Sequence, residues 1–330
     1  MTTLDVRRTT TASRAGAVIA VLVLAGLIAL PWMGNAGLMR MVVEIIALLV
    51  LAQMWNLLAG YAGLVSIGQQ AYVGLGGYAL VVLADDLGVN PFVAVPLAGL
   101  VAAAFALPTA TAVFRFRGGS FAVGTWAVAE VYRLLVANTD ALGRGTGRTL
   151  KAVFPLARET RELGTYALAL GIGLTALIAV YGYLRSRQGL GLTAIRDSEP
   201  ASESLGVDVF RTKLAVYVIA AFGTGVTGAL LYLNLLRIAP DAAFSINWTA
   251  YTIFIVVIGG LGTVEGPIVG TLVFFALREA LSQYGAWYMI LLGVLAVVAM
   301  LRFPQGLWGL VAERWDVHVF PLKRRVRIRD

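Results

Sequence analysis

The chain has no cysteine and one histidine, His318, in 330 residues. Without thiols there are no disulfides, thiolate metal sites or cysteine nucleophiles. His318 follows the last apolar segment in a basic tail, far from any other metal-ligand pattern, and is read as solvated. Gly-Lys never occurs as a dipeptide and no Walker A sequence is present, which excludes ATP hydrolysis by the P-loop route. Gly143-x-Gly-x-Gly147 lacks the strand-turn-helix context of a phosphate loop. An intramembrane enzyme would need a nucleophile or an acid-base pair, and this composition gives it little support. Neither a metal nor a cofactor is expected on this chain.

Charge is also scarce. Charged residues make up 13% of the sequence against 59% hydrophobic, and the mean hydropathy is +0.83. An all-α polytopic membrane protein follows, a single transmembrane domain over 1–330 with no soluble domain between its spans. Apolar runs of spanning length fall near 15–33, 38–59, 91–114, 164–184 and 212–236. Shorter or glycine-broken ones fall near 60–84, 119–137, 246–260, 266–281 and 286–302, giving about ten transmembrane or half-membrane helices. The first run follows Arg7, Arg8 and Arg14 but is long and has no small-x-small cleavage site, so it is read as a retained helix.

The net charge of +8 is read by position, because cytoplasmic loops collect Lys and Arg; it is no sign of nucleic-acid binding. Basic clusters are the amino terminus, Arg115 with Arg117, the connection 185–213, and the tail 303–330 with Lys323, Arg324, Arg325, Arg327 and Arg329. About ten crossings put all of them, and both termini, on the cytoplasmic side. The loop 138–163 disagrees: Arg144, Arg148, Lys151, Arg158 and Arg161 fall outside, partly offset by Glu159 and Glu162.

What is abundant is glycine in two dense interruptions, Gly60 to Gly77 and Gly259 to Gly270. Irregular backbone at membrane depth is tolerated only where protein or a water-filled cavity covers it, so the two breaks point to a solute pathway near the midplane. Splitting the chain after the fifth crossing gives the first half an odd number of spans, which places the breaks at equivalent positions of an inverted repeat. Between them, 185–213 holds a short amphipathic helix: Asp197 or Ser198 caps it, Pro200 suits its first turn and Gly206 closes it. It presents Ile195 and Leu205, as a docking element would; a solvated linker helix is the alternative.

Three motifs in this order resemble the permease subunits of bacterial branched-chain amino acid ABC importers, of the LivM type. They are Asn56-Leu-Leu-Ala-Gly-Tyr-Ala-Gly-Leu-Val-Ser-Ile-Gly68, Thr193-Ala-Ile-Arg-Asp197 through Glu203-Ser-Leu-Gly206, and Val257-Ile-Gly-Gly-Leu-Gly-Thr-Val-Glu-Gly-Pro267. The resemblance implies a multi-pass subunit of the bacterial inner membrane that translocates branched-chain or other apolar amino acids by alternating access. Its implied partners are a second homologous permease, two cytoplasmic ATP-binding subunits that hydrolyse the ATP, a periplasmic substrate-binding protein, and lipid. The second motif looks like the loop that engages the ATPases, which assigns coupling to Arg196, Asp197, Glu199, Glu203 and Gly206. Importers of urea or short amides have permeases of the same kind, and a gradient-driven secondary transporter is the other alternative. The latter needs paired ionisable residues at midplane, and candidates here are few.

Candidate pathway residues are Gln53, Asn56, Ser66, Gln69, Gln70, Gly259, Gly260, Gly262 and Glu265. Amides and hydroxyls can offer hydrogen bonds to a passing solute, and they can equally bond helix to helix. Gly262, Gly266 and Gly270, at four-residue spacing, suit either close helix packing or substrate contact. A buried Glu265 should face water, a partner subunit or an amide-lined pocket. Glu130 and Arg133 can pair on one helix face; Glu44 has no partner within its own helix.

Overall fold

Each apolar run picked out by hydropathy contains a helix in a computed structural model, which describes residues 3–7, 11–281, 287–303, 305–315, 319–321 and 325–329. His318, Arg8, Lys323 and Arg324 lie outside the described residues. In chain order come β1 (Thr3–Arg7), α1 (Thr11–Ala29), α2 (Ala36–Asn56), α3 (Gln69–Val81), α4 (Pro91–Val113) and α5 (Gly119–Ala137). Then follow β2 (Arg148–Thr149), α6 (Arg158–Arg185), α7 (Arg187–Asp197), α8 (Glu199–Ser204), α9 (Val209–Leu235) and β3 (Arg237–Ile238). The remainder is α10 (Pro240–Ala243), α11 (Asn247–Gly259), α12 (Glu265–Leu281), α13 (Trp287–Arg302), α14 (Gly306–Trp315) and β4 (Arg325–Arg329). Among the described residues, eight helical stretches are long and apolar enough to cross a membrane; α3 and α12 are shorter, at 13 and 17 residues.

Polar residues and proline set the helix starts. Asn35 accepts from the Leu38 amide at 3.0 Å to begin α2. Asn90 accepts from Phe92 at 2.9 Å, with Pro91 opening α4. Ser198, of the two expected cap residues, accepts from Ala201 at 3.4 Å, and Gly206 closes the turn with φ +83°. The connection holds two short helices, α7 and α8, where one was expected. Ile195 is buried at 2% exposure and belongs to the packed side of α7, whereas Leu205 is 81% exposed; only the latter is presented outward.

Contacts sort the loops onto two faces. On one, Arg196 of α7 reaches the Gly60 carbonyl, Phe114 meets Phe210 edge-on at 6.0 Å, and β1 pairs antiparallel with β4, bringing both ends of the described chain together. On the other, the Ala152 amide donates to Asp85 at 2.8 Å, and β2 pairs with β3. The basic loop 138–157 therefore lies on the face opposite the α7–α8 connection. Its positive charge is largely matched in place: Arg148 bonds Asp86 at 2.6 and 2.8 Å, Arg144 pairs with Asp140, and Arg158 with Glu162 at 3.0 Å. Those bonds to Asp86 also raise the Arg148 guanidinium above its ordinary pKa. Arg148→Ala is expected to cost about 1.5–3 kcal/mol in thermal unfolding, since a guanidinium only 19% exposed bonds Asp86 twice and the Ala141 carbonyl once; a loss near zero would show that the loop is held by other contacts.

Glu44 is paired across the bundle. Arg278 of α12 donates to its two carboxylate oxygens at 2.5 and 2.9 Å and lies 4.4 Å from the Phe275 ring centre. An acid in lipid-soluble sequence is tolerated when a guanidinium from a neighbouring helix meets it.

Glycine allows the closest helix pairs. A Cβ on Gly76 of α3 would sit 2.0 Å from the Gly225 carbonyl oxygen of α9, and one on Gly270 of α12 would sit 1.9 Å from that of Ile255 on α11. The two glycine-dense breaks, however, are not counterparts in an inverted repeat. Inversion would send equivalent positions to opposite faces, and these breaks share a face and touch.

Candidate functional site

The first break begins at the membrane boundary because α2 is long. With its terminal π turn it runs Ala36–Tyr61 over 26 residues, ~39 Å at 1.5 Å per residue, which exceeds a hydrocarbon core of about 30 Å. Gly60 thus emerges beside the α7–α8 connection, and the second break, 260–264, meets it there. The first break therefore starts at the boundary and the second stays there, and the glycine-dense sequence reaches mid-depth only in the part that begins α3. From Gly63 the chain turns back as irregular backbone through Gly68. Gln69, the first residue of α3, accepts from Thr224 Oγ1 at 3.0 Å. Since Thr224 lies near the middle of the 27-residue α9, α3 starts at mid-depth.

The boundary cluster is held by two amides of α2. Gln53 Nε2 donates to the Val264 carbonyl at 2.7 Å, Asn56 Nδ2 donates to the Thr263 carbonyl at 2.8 Å, and the Gly262 amide donates to Asn56 Oδ1 at 2.8 Å. Gly262 has φ +75°, a conformation that suits glycine. Gln53 and Asn56 are both fully buried and bond the non-helical backbone of 262–264. Gly259 lies flat against α12, where a Cβ would come 1.9 Å from the Gly266 oxygen, and Gly260 faces Gln305 and Trp308. Glu265, also buried, accepts from the Phe320 amide at 2.7 Å, so its polar partner is the chain's own tail. Asn56→Ala is expected to lower stability by about 2 kcal/mol, because the Gly262 amide and Thr263 carbonyl lose their partner in a buried setting. Thermal unfolding in detergent measures this.

Arg196 closes the cluster from below. Its Nη1 donates to the Gly60 carbonyl at 2.8 Å while Nε and Nη2 bond Asp197 at 3.1 and 3.0 Å. One guanidinium thereby spans the connection and the first break, and Gly262 of the second lies alongside. Glu199 instead ion-pairs with Lys213, fastening α8 to α9. Glu203, Leu205 and Gly206 form the exposed edge of α8.

At mid-depth, Ser66 bonds the following turn: its carbonyl accepts from Trp55 Nε1 at 2.8 Å and its Oγ from the Gly68 amide at 3.1 Å. Gln70 accepts from Thr249 Oγ1, near the start of α11. α11 descends from the opposite face after α10, so two helix N-termini that enter from opposite sides meet at Gln69, Gln70, Thr224 and Thr249. Such discontinuous helices place positive dipole ends inside the membrane. Gln69 Nε2 is buried without a hydrogen-bond partner among the described residues. Thr224 and Thr249 were not foreseen; the signal for the first was Gly223-Thr-Gly-Val-Thr-Gly228, a small-residue stripe in an apolar span. Above Gln70 a cavity of about 310 Å³ opens toward the face away from α7, bordered by Trp126, Glu130, Arg133, Asp241 and Phe244.

Helices broken at mid-depth, and a connection that grips the breaks, define an all-helical multi-pass membrane permease. The chain belongs to the family of permease components of the branched-chain amino acid transport system, whose profile matches residues 37–300. It is 28% identical over 315 residues to the high-affinity branched-chain amino acid transport system permease protein LivM of Salmonella typhimurium, covering 88% of this chain and 73% of that one. It is 27% identical, over the same shares, to LivM of Escherichia coli. Against the probable branched-chain amino acid transport permease protein LivH of Methanocaldococcus jannaschii it is 23% identical over 74% of this chain and 82% of that one. No solved structure matches the chain.

Proposed function

We propose that this chain is one membrane subunit of an ATP-driven importer of branched-chain or other apolar amino acids in the bacterial inner membrane. It works beside a second, similar permease, two cytoplasmic ATP-binding subunits and a periplasmic binding protein. The α7–α8 face, the basic tail and both termini are cytoplasmic, in keeping with the Arg and Lys they carry. The observation that carries the reading is the bond from Arg196 to Gly60: a push on the connection reaches both breaks through one side chain. Leu190, Leu205 and Phe210 are exposed on that connection and beside it, an apolar surface on which an ATPase can dock.

In this mechanism the loaded binding protein docks on the far face and ATP closes the ATPases below. Movement of α7 then shifts the seam made by Gln53, Asn56, Gly259, Gly260, Gly262 and Glu265. Solute passes from Gln70, Gln69 and Ser66 toward that seam. Uptake in vesicles reconstituted with and without the partner subunits tests the reading. ATP-dependent accumulation of leucine only in the complete assembly is expected; uptake by this chain alone, driven by a gradient and indifferent to ATP, overturns it.

A further inference from the structure

The charged trio beside the cavity has a stoichiometry that structure alone does not require. Arg133 donates to Glu130 through Nε, at 3.0 Å to each oxygen, and through Nη2 at 2.5 Å, while its Nη1 donates to Asp241 at 2.6 Å. Glu130 shares the α5 helix with Arg133 and already neutralises it. Asp241, on α10, therefore brings a surplus negative charge to the cavity mouth, with its side chain 82% exposed. Trp126 and Phe244 line it with their rings, and Gln70 at the start of α3 borders it. At about 310 Å³ the space falls at the small end of the range for small-molecule sites.

We propose that this cavity is an entry subsite for the zwitterion of an apolar α-amino acid: Asp241 takes the ammonium, Arg133 the carboxylate, and Trp126 with Phe244 the side chain. This deepens the transport reading above and rests on it for the solute class. The trio suits exchange. A zwitterion that inserts between Arg133 and Asp241 replaces one internal ion pair by two external ones and leaves Arg133 held in place by Glu130. Because both internal partners reach solvent, opening the pair exposes no charge to a dry interior, and release stays fast enough for passage.

The absence of cysteine supplies the test. Ser245→Cys places the chain's one thiol on the cavity wall, and its rate of maleimide labelling is followed in the complete reconstituted assembly. Leucine is expected to slow labelling. Isocaproate, which lacks the ammonium, and isoamylamine, which lacks the carboxylate, should need concentrations at least about tenfold higher, as for a lost charge contact. Asp241→Asn in the same background should abolish the distinction between leucine and isocaproate, and its exposure makes misfolding a small concern. Labelling that leucine leaves unchanged, or that all three compounds slow alike, overturns the subsite. If Asp241→Asn or Arg133→Gln weakens docking of the loaded binding protein while leucine protection persists undiminished, the trio belongs to the docking surface and the proposal is wrong. Failure of the importer reading is seen separately, as absence of ATP-dependent leucine uptake by the unmodified assembly.

Discussion

In the importer proposed above, Arg196→Ala is expected to cut transport at least about tenfold while the protein stays in the membrane and the partner ATPases still turn over. A hydrogen bond from a charged donor contributes about 1.5–3 kcal/mol, and 1.4 kcal/mol is a factor of ten in an equilibrium. Here the bond joins the Arg196 guanidinium to the Gly60 carbonyl at 2.8 Å. Without it the first break keeps its contacts with the second through Asn56, but the connection no longer holds either. Leucine carried per ATP hydrolysed should therefore fall more than the ATPase rate itself. Arg196→Lys retains charge without the planar fork that also bonds Asp197, so an intermediate value is expected. Wild-type transport per ATP in Arg196→Ala would show that motion reaches the breaks by another route.

Gly76→Val should destabilise the folded protein by about 3 kcal/mol or more, the upper range for forcing volume into a packed core. Its Cβ would lie 2.0 Å from the Gly225 oxygen and 2.7 Å from that residue's Cα. Backbone atoms of a helix cannot rotate aside, so α3 and α9 must part. A reciprocal contact makes the parting costly: a Cβ on Gly228 would come 2.2 Å from the Val73 oxygen. The same helix pair holds the Gln69–Thr224 bond, so partly folded protein should also lose transport. Thermal unfolding in detergent gives the comparison with Gly171→Ala on α6, where nothing lies within 4 Å and a gain of up to about 1 kcal/mol is expected from helix propensity. Equal shifts in the two variants would remove close backbone packing as the explanation.

Glu44 shows where reading along the chain stops. Its partner Arg278 is 234 positions away, and no spacing rule reaches that far. Asp241 was overlooked for the same reason: Glu130 and Arg133 are legible as neighbours on one helix turn, whereas the third member comes from α10. The glycine breaks are legible, but where the first one starts is not, because the length of α2 with its π turn sets where Gly60 emerges. Ser198, Pro200 and Gly206 were legible because capping is a matter of four or five consecutive residues. Ile195 was misassigned because a single amphipathic helix was expected where α7 and α8 divide the segment.

Hydropathy by itself determined that this is a helical membrane protein and where its apolar segments run, since the bilayer acts on each segment separately and requires every backbone group to be satisfied within it. The motifs likewise marked the 185–213 connection and the two breaks. Only the tertiary structure decided that Asn56 and Gln53 tie one break to the other, that Arg196 grips Gly60, and that α3 and α11 start face to face at mid-depth. Those are meetings between residues far apart in sequence, made when irregular backbone found its hydrogen-bond partners on neighbouring helices and glycine let the helices come close enough to provide them.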